Sequence, residues 1–415
     1  MLDGQRFKEV VGVEAPAEAW RSPAAAEAAR LVHLLAGVSY YKAAAAPVVD
    51  LAAVAVRPGE RALIRRYYVD GLGEFAYRNG LDLAALEVVG GEEAGPPAGY
   101  SATAGPLVPF GGGIDSIVTV EGVRGRQPTA FVASRAGDRF AAIEGALAVT
   151  GLPVARASRS LDPEILRSGE HGWLNGHVPV TGVLSAVAVL AAVLGGHSAV
   201  VMSNEWSASV GNLDVGGRQV NHQWSKSLDF ETDFRSMLAG AFELSAGSAP
   251  PDYFSWLRPW SELWVAERFA TLERYHPVFR SCNRAFSLDP DRRLDHWCGR
   301  CDKCCFIDLV LAPFMPADRL REIFAGSEPL DDLSLLGRFE SLVGSGRKPF
   351  ECVGEEGECR AAAALAAGRP DRAASPVLGR LLADPALAGA AADAARLRAP
   401  LGPHHIPHGW LPAGA

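Results

Sequence analysis

The sequence lacks any run of five or more basic residues, and its formal net charge is −8 over 415 residues. Nonspecific nucleic-acid binding depends on lysine and arginine that neutralise phosphates, so this charge balance argues against a nucleic-acid partner. The N-terminus carries Asp3, Glu9 and Glu14 and lacks a basic start followed by an apolar stretch. We therefore predict no secretory signal and expect a cytoplasmic protein.

Long apolar runs are also scarce. Residues 178–196 contain no charged side chain and approach the about 20 residues that a membrane-spanning helix needs. Proline and glycine fall near the start of this segment, and the glycine pair 195–196 ends it before a second apolar stretch at 199–202. This pattern predicts a buried helix that leads into a buried strand, and we expect no membrane partner.

Cysteine is sparse, and the odd total of 7 indicates reduced thiols better than a disulfide framework. Four cysteines are nevertheless clustered: Cys282 precedes Cys298, and Cys298, Cys301 and Cys304 form two CxxC steps that share Cys301. Four thiolates at this spacing suit a closed, structural zinc. An iron-sulfur cluster stays an alternative, and so does Cys305 in place of Cys304.

A glycine loop is the strongest functional signal. Gly111, Gly112 and Gly113 follow a short apolar stretch and precede Ile-Asp-Ser, in which Asp115 and Ser116 begin a predicted helix. Successive glycines let the backbone approach an anion, and the positive end of a helix favours the same charge. The pattern predicts a phosphate site, but its spacing matches neither the Walker loop nor the dinucleotide fingerprint.

Strand and helix patterns alternate after residue 101. The predicted strands are 107–110, 130–133, 153–157 and 199–202, and the predicted helices begin near 115, 139 and 183. Such alternation builds a parallel sheet that binds ligands beyond the carboxyl ends of its strands. Ser134, Arg135, Asn204 and Glu205 each follow a strand, so we expect them at the same nucleotide site, with an exposed charge as the alternative for Arg135.

The expected fold class is α/β, with three regions. Residues 1–100 are predicted as a small N-terminal α/β domain, and 101–308 as a nucleotide-binding catalytic domain that carries the cysteine module, 282–305. Residues 309–415 are predicted as a mainly helical region with a flexible tail. Residues 206–235 show no regular spacing of apolar residues, which predicts a functional loop.

The glycine loop resembles that of the PP-loop ATP pyrophosphatases, whose motif reads Ser-Gly-Gly-x-Asp-Ser. Here Gly111 replaces the first serine. The resemblance implies a parallel-sheet, HUP-like core that binds ATP with Mg²⁺ and splits it to AMP and pyrophosphate. It also implies that the glycines and Ser116 hold phosphates and that Asp115 orients the loop or a Mg²⁺.

A similar cysteine run accompanies a PP-loop in cyano-deazaguanine synthase, an ATP-dependent nitrile-forming enzyme. The sequences of four further segments instead resemble the MurL-type UDP-N-acetylmuramoyl-L-alanyl-L-glutamate epimerases, namely residues 110–121, 175–181, 203–205 and 222–225. This second resemblance implies an isomerase of peptidoglycan precursor synthesis. Its substrate would be the UDP-muramoyl dipeptide, epimerised at the terminal glutamate after ATP adenylates its carboxylate.

Inversion of an α-carbon requires groups that transfer protons near neutral pH. His177 and His222 are the best-placed imidazoles for this task, and Lys226 is a candidate to bind the substrate carboxylate or the UDP phosphates. A structural or exposed role is the alternative for each. An amide-forming, nitrile-forming or thiolating PP-loop enzyme and a nucleotide-binding sensor stay open as alternative functions. The sequence makes no prediction of oligomeric state.

Overall fold

The computed structural model describes residues 4–215, 217–287, 289–346, 349–351 and 353–411. Its strands are β1 (Val10–Val13), β2 (Val48–Asp50), β3 (Ala55–Val56), β4 (Glu87–Val89), β5 (Glu92–Glu93), β6 (Leu107–Pro109), β7 (Thr129–Ser134), β8 (Val154–Ser160), β9 (Ala199–Met202), β10 (Leu213–Val215), β11 (Arg218–Val220) and β12 (Asp252–Ser255).

The α-helices alternate with these strands and then dominate the C-terminal third. They are α1 (Pro23–Ala36), α2 (Val38–Tyr41), α3 (Glu60–Val69), α4 (Gly73–Asn79), α5 (Ile114–Gly122), α6 (Ala141–Thr150), α7 (Pro163–Leu166), α8 (Val180–Gly195), α9 (Leu228–Ala241), α10 (Glu262–Ala270), α11 (Asp302–Leu311), α12 (Ala317–Ile323), α13 (Leu336–Leu342), α14 (Glu356–Ala367), α15 (Pro376–Leu381) and α16 (Ala394–Leu397).

A six-stranded central sheet has the order β1-β8-β7-β6-β9-β12. All neighbouring pairs are parallel except β1 with β8, which is antiparallel. The expected α/β class is confirmed, with a mixed, mostly parallel sheet. Because β7 and β8 lie on one side of β6 while β9 and β12 lie on the other, the strand order reverses at β6, which is where such sheets form a ligand crevice.

Both faces of this sheet are covered, as the continuous apolar strands predict. Successive side chains of a strand point to opposite faces. In β9, Ala199 and Val201 join a core with α5, α10 and α11, whereas Val200 and Met202 join a second core with α1, α8 and α9. The sheet therefore separates two hydrophobic cores and holds β6 rigidly between them.

The predicted buried helix is α8, whose residues 185–194 are all buried. It packs against α1 in the second core. No helix among the described residues combines the length and the apolar character needed to cross a membrane.

The N-terminal segment contributes to the central sheet. Val10 pairs with Ser160 and Val13 with Ala157, which adds β1 to the sheet edge. The Arg159 guanidinium of β8 lies 2.8 Å from the Glu9 carboxylate. The division into regions at residues 100 and 308 stays a prediction, but part of the first region shares a sheet and a core with the second.

The loop prediction for residues 206–235 was wrong in its last part, because α9 begins at Leu228. Ser227 caps this helix by accepting a hydrogen bond from the Phe230 N–H at 3.2 Å. Phe230, Phe234 and Leu238 are buried at intervals of four residues.

The C-terminal segment packs against the protein instead of forming the expected flexible tail. The Leu401 N–H donates to the Pro259 carbonyl at 2.6 Å, and the Trp256 indole N–H donates to the Trp410 carbonyl at 2.7 Å. The Trp410 ring meets Phe254 edge-on, and the Arg126 guanidinium lies 4.0 Å from its centroid. This segment is held in place because the Trp410 ring packs against Phe254 and Arg126.

Candidate active site

A cavity of about 510 Å³ lies beyond the carboxyl ends of β6 and β9, at the point where the strand order reverses. Its apolar floor includes Phe131, Ile143 and Leu184. Polar groups come from the glycine loop, from the segment after β9 and from three more distant cations, Lys226, Arg280 and Lys303. An apolar floor with a cationic rim suits a nucleotide, which presents both a base and phosphates.

The glycine loop fits the approach of an anion. Gly112 has a φ of +75°, and a Cβ there would lie 2.8 Å from the Ala142 carbonyl oxygen. Helix α5 begins immediately after Gly113, and Ser116 donates its hydroxyl to the Gly113 carbonyl at 3.1 Å. The first N–H groups of α5 have no partner within the helix and are directed to the loop side, which favours negative charge there.

Three carboxylates gather beside this loop. Asp115, Glu205 and Glu262 each place an oxygen within 4.8 Å of the other two. The Glu262 Oε2 atom is buried without a hydrogen-bond partner among the described residues. Burial, and then the charges of Asp115 and Glu205, raise the pKa of Glu262 well above its usual range. A cluster of oxygen donors with one unsatisfied buried oxygen fits a hard divalent cation such as Mg²⁺.

Local structure explains how Glu262 reaches this cluster. It is the first residue of α10, and Ser261 caps the helix by accepting a hydrogen bond from the Trp264 N–H at 3.1 Å. The Glu358 carboxyl accepts a hydrogen bond from the Glu262 N–H at 3.1 Å. The backbone of Glu262 is thus held on both sides, so its side chain enters the cluster from a fixed position.

A buried arginine connects two of the contributing segments. Arg258 is only 1% exposed and forms a 3.1 Å ion pair with Glu231 of α9. It also donates to the Glu205 carbonyl at 2.9 Å and to the Lys226 carbonyl at 2.6 Å. The guanidinium and its three partners are largely buried, so Arg258 fixes the positions of the Glu205 and Lys226 backbones relative to each other.

The two predicted histidines form a pair. The rings of His177 and His222 are 4.1 Å apart between centroids, and the His222 Nδ1 atom is paired with the Glu74 carboxylate. Arg78 donates to the other oxygen of Glu74 at 2.5 Å. Burial would raise the pKa of Glu74, but the hydrogen bond and charge of His222 lower it overall.

The same surroundings keep His177 neutral. Burial, followed by the nearby His222 charge, lowers the pKa of His177 to about 4, and the charge of Lys226 adds to this lowering. Near pH 7 this imidazole therefore has a lone pair available to accept a proton. Lys226 lies between the two parts of the site, since it also lines the glycine-loop cavity.

Ser134 and Arg135 do not line the glycine-loop cavity. They line an adjoining cavity of about 520 Å³ that shares Ala133 and Leu184 with it. The prediction brought them to the correct edge of the sheet, because β7 ends at Ser134. Two separate cavities nevertheless lie at the ends of these neighbouring strands, and the order of the strands does not predict which residue lines which cavity.

The predicted metal module is compact. The sulfurs of Cys282, Cys298, Cys301 and Cys304 all lie within 4.8 Å of one another, and Cys305 is outside this group. The Cys304 sulfur is 3.4 Å from that of Cys301 and 3.6 Å from that of Cys298. Four thiols converging on one point fit a soft tetrahedral metal ion such as Zn²⁺.

Several residues of the site were not predicted from the sequence. They are Glu74, Arg258, Glu262, Arg280, Ser281 and Lys303. Lys303 had a usable signal, because it lies inside the second CxxC step and so had to follow the cysteine module. Glu74 and Glu262 lie on amphipathic helices, where a single acidic residue is indistinguishable from an ordinary solvated one.

Comparisons with known proteins agree over almost the whole chain. The family model of the MurL N-terminal domain matches residues 1–256, and that of the MurL C-terminal domain matches residues 278–396. These matches divide the chain between 256 and 278, in contrast to the boundaries predicted near 100 and 308.

Three curated relatives carry the name UDP-N-acetyl-alpha-D-muramoyl-L-alanyl-L-glutamate epimerase. The protein of Xanthomonas oryzae pv. oryzae is 42% identical over 367 residues, covering 86% of this chain and 78% of the relative. That of Salinispora tropica is 41% identical over 412 residues, covering 97% and 88%, and that of a Micromonospora species is 42% identical over 421 residues, covering 97% and 90%. No solved structure matches significantly. On the evidence of both domain models and of these relatives, the chain belongs to the MurL family.

Proposed function

We propose that this protein is an ATP-dependent isomerase that epimerises the terminal L-glutamate of UDP-N-acetylmuramoyl-L-alanyl-L-glutamate to D-glutamate, in peptidoglycan precursor synthesis. Its curated relatives carry the name of this epimerase. The structural observation that carries the proposal is the position of Lys226, which lines the glycine-loop cavity and also lies near His177. A nucleotide-dependent step and a proton transfer can therefore act on one bound substrate.

The chemistry explains why ATP is needed. The α-proton of a peptide's terminal glutamate is weakly acidic, because the neighbouring carboxylate resists further negative charge. A carboxylate oxygen would attack the α-phosphorus of ATP, and the bond to pyrophosphate would break. The resulting acyl-adenylate is uncharged at the former carboxylate, which makes the α-proton more acidic. After inversion, water would release AMP and restore the carboxylate.

The histidine pair would carry the proton transfer. His177, neutral near pH 7, would accept the α-proton, and His222 with Glu74 would stabilise the positive charge that develops on the pair. Return of a proton to the opposite face of the α-carbon gives D-glutamate. Lys226 would hold the substrate carboxylate before it is adenylated, or the UDP phosphates.

Binding roles follow from the cavity. The proposed phosphate site comprises the glycines 111–113, Ser116 and Lys303, in a PP-loop, HUP-like core. Asp115, Glu205 and Glu262 would hold Mg²⁺, which supplies positive charge to the phosphates. Asn204, at the same edge, would contact the nucleotide, while Ser134 and Arg135 would contact the substrate or nucleotide from the adjoining cavity.

The four clustered cysteines would hold a structural Zn²⁺ that ties the segment 282–305 together. The regions 1–100, 101–308 and 309–415 are proposed as N-terminal, catalytic and helical C-terminal parts. We place the protein in the cytoplasm, where ATP and UDP-linked sugars are available, and propose no nucleic-acid or membrane partner.

Incubation with ATP, Mg²⁺ and the UDP-muramoyl dipeptide in D₂O tests the proposal directly. We expect AMP to appear together with D-glutamate that carries deuterium at its α-carbon, and neither product without ATP. Inversion with the α-proton retained would contradict the proton exchange. ATP left intact with the glutamate still L would contradict the function itself.

A further inference from the structure

Ser281 is an unassigned polar residue that faces the glycine loop. It lines the glycine-loop cavity. A Cβ built on Gly113 would lie 2.7 Å from the Ser281 hydroxyl oxygen, so this hydroxyl occupies the space that a side chain at 113 would need. The segment is fastened to the loop one residue earlier, where the Arg280 N–H donates to the Gly112 carbonyl at 3.1 Å.

The next residue, Cys282, is buried in the group of four thiols. Ser281 is therefore held between two fixed points, the backbone of the glycine loop and the cysteine module. No hydrogen bond joins its hydroxyl to another of the described residues. A positioned hydroxyl that faces an anion-binding loop has its donor available for a ligand.

We infer that Ser281 is a phosphate-binding residue, whose hydroxyl donates to an oxygen of the ATP phosphates held by Gly111, Gly112 and Gly113. The inference rests on the proposed function, since it takes ATP as the ligand of the loop. It also gives the cysteine module a second task, because the module positions both Ser281 and Lys303 at the cavity.

The space around Gly111 allows a second substitution that compensates for the loss of the Ser281 hydroxyl. A Cβ on Gly111 meets no other atom within 4 Å, so a serine there would fit without displacing the protein. Its hydroxyl would enter the same loop from the opposite end. A second-site Gly111→Ser change can therefore replace the donor that a Ser281→Ala change removes.

The experiment measures the dissociation constant of ATP with Mg²⁺ by isothermal titration, without dipeptide so that no turnover occurs. The proteins are wild type, Ser281→Ala, Ser281→Thr and Ser281→Ala with Gly111→Ser. Ser236→Ala is the control, because Ser236 is exposed on α9. Thermal melting verifies that each variant is folded.

We expect Ser281→Ala to raise the dissociation constant on the order of tenfold, as loss of a hydrogen bond to a charged group does. The threonine variant or the Gly111→Ser combination should restore most of the affinity, with the control unchanged. Wild-type affinity in Ser281→Ala, or a loss that neither change restores, would overturn the role of Ser281 alone. Absence of ATP binding by the wild type would overturn it together with the ATP dependence of the proposed function.

Discussion

Glu262 illustrates at the residue scale how burial leaves a carboxyl group in need of a partner. The residue is 3% exposed, and its Oε2 atom has no hydrogen-bond partner among the described residues. Burying such an oxygen costs free energy unless something compensates for it. A divalent cation shared with Asp115 and Glu205 would compensate for this cost.

The Glu262→Gln change should therefore weaken activation by Mg²⁺. The amide keeps the size of the side chain but removes the negative charge, so the Mg²⁺ concentration for half-maximal activity should rise by about tenfold or more. The matched control is Glu267→Gln on the same helix, where the carboxylate pairs with Arg398 at 2.9 Å. Equal Mg²⁺ titrations for the two variants would contradict the cation site.

The lowered pKa of His177 should make the unfolding free energy of the protein depend on pH. Its pKa is lowered to about 4, chiefly by burial, whereas an unfolded histidine has a pKa near 6.5. Between these values the unfolded chain binds more protons, so stability should fall as the pH decreases from about 6.5 towards 4.

Comparison with His177→Gln isolates this contribution. From pH 7 to pH 5 the wild type should lose about 2 kcal/mol of unfolding free energy more than the variant, measured by urea denaturation. The variant should also lose α-deuterium exchange while retaining ATP binding. A wild type and variant that lose equal stability would show that His177 titrates normally.

The cysteine module shows at the element scale how separate segments are joined. Cys282 immediately precedes a short 3-10 helix, and Cys298 lies in the connection that leads to α11. Cys301 is the N-cap of α11, and Cys304 is in its first turn. Cys305 is its neighbour in sequence but is buried on a different side of the helix. Helical rotation of about 100° per residue thus separates two adjacent thiols.

A pair of serine substitutions tests which of these thiols binds metal. Cys304→Ser should abolish or sharply reduce bound zinc, measured by elemental analysis, and should lower the thermal midpoint because metal binding contributes to folding. Cys305→Ser should retain one zinc per chain and change the unfolding free energy by about 1 kcal/mol at most. The reverse result would assign Cys305 as the ligand.

The packed C-terminus matters at the scale of the whole molecule. Trp410 contacts Phe254 of β12 and Arg126 after α5, so the segment that ends at Trp410 packs against elements of the central sheet and its first core. Ile406 is also buried, at 7% exposure. These contacts make the last described residues part of the fold.

Removing this contact should destabilise the protein without altering the site. Trp410→Ala should lower the unfolding free energy by about 2 kcal/mol, because part of a large aromatic surface returns to water. Trp20→Ala is a suitable control, since Trp20 is 38% exposed. Denaturant titration of both variants provides the measurement, and equal stability would indicate a tail that is not held.

Local patterns were sufficient to predict much of this structure. The apolar runs at 107–110 and 199–202 and the helix in 178–196 lie close to the observed β6, β9 and α8. The CxxC steps likewise anticipated the four converging thiols. Each of these features depends on residues near one another in sequence, where propensity and spacing act directly.

Other features were decided by packing between distant segments. The prediction missed α9 in part because its apolar residues pack against α3 and β12. It missed the packed C-terminal segment because Trp410 is stabilised by Arg126 and Phe254. A polar side chain gives no sign in the sequence of whether its surroundings will be water or protein.

By itself, then, the sequence determined the α/β alternation, the glycine loop between β6 and α5, and the thiol cluster, because these follow from short-range geometry and from the spacing of the residues. Only the tertiary structure decided that Glu262 and Lys303 lie beside that loop and that Arg135 lines a neighbouring cavity instead. The pairing of Glu74 with His222 was likewise decided by the tertiary structure. The physical reason is that burial and electrostatic coupling arise between residues far apart in the chain, and they exist only once the two cores have formed around the sheet.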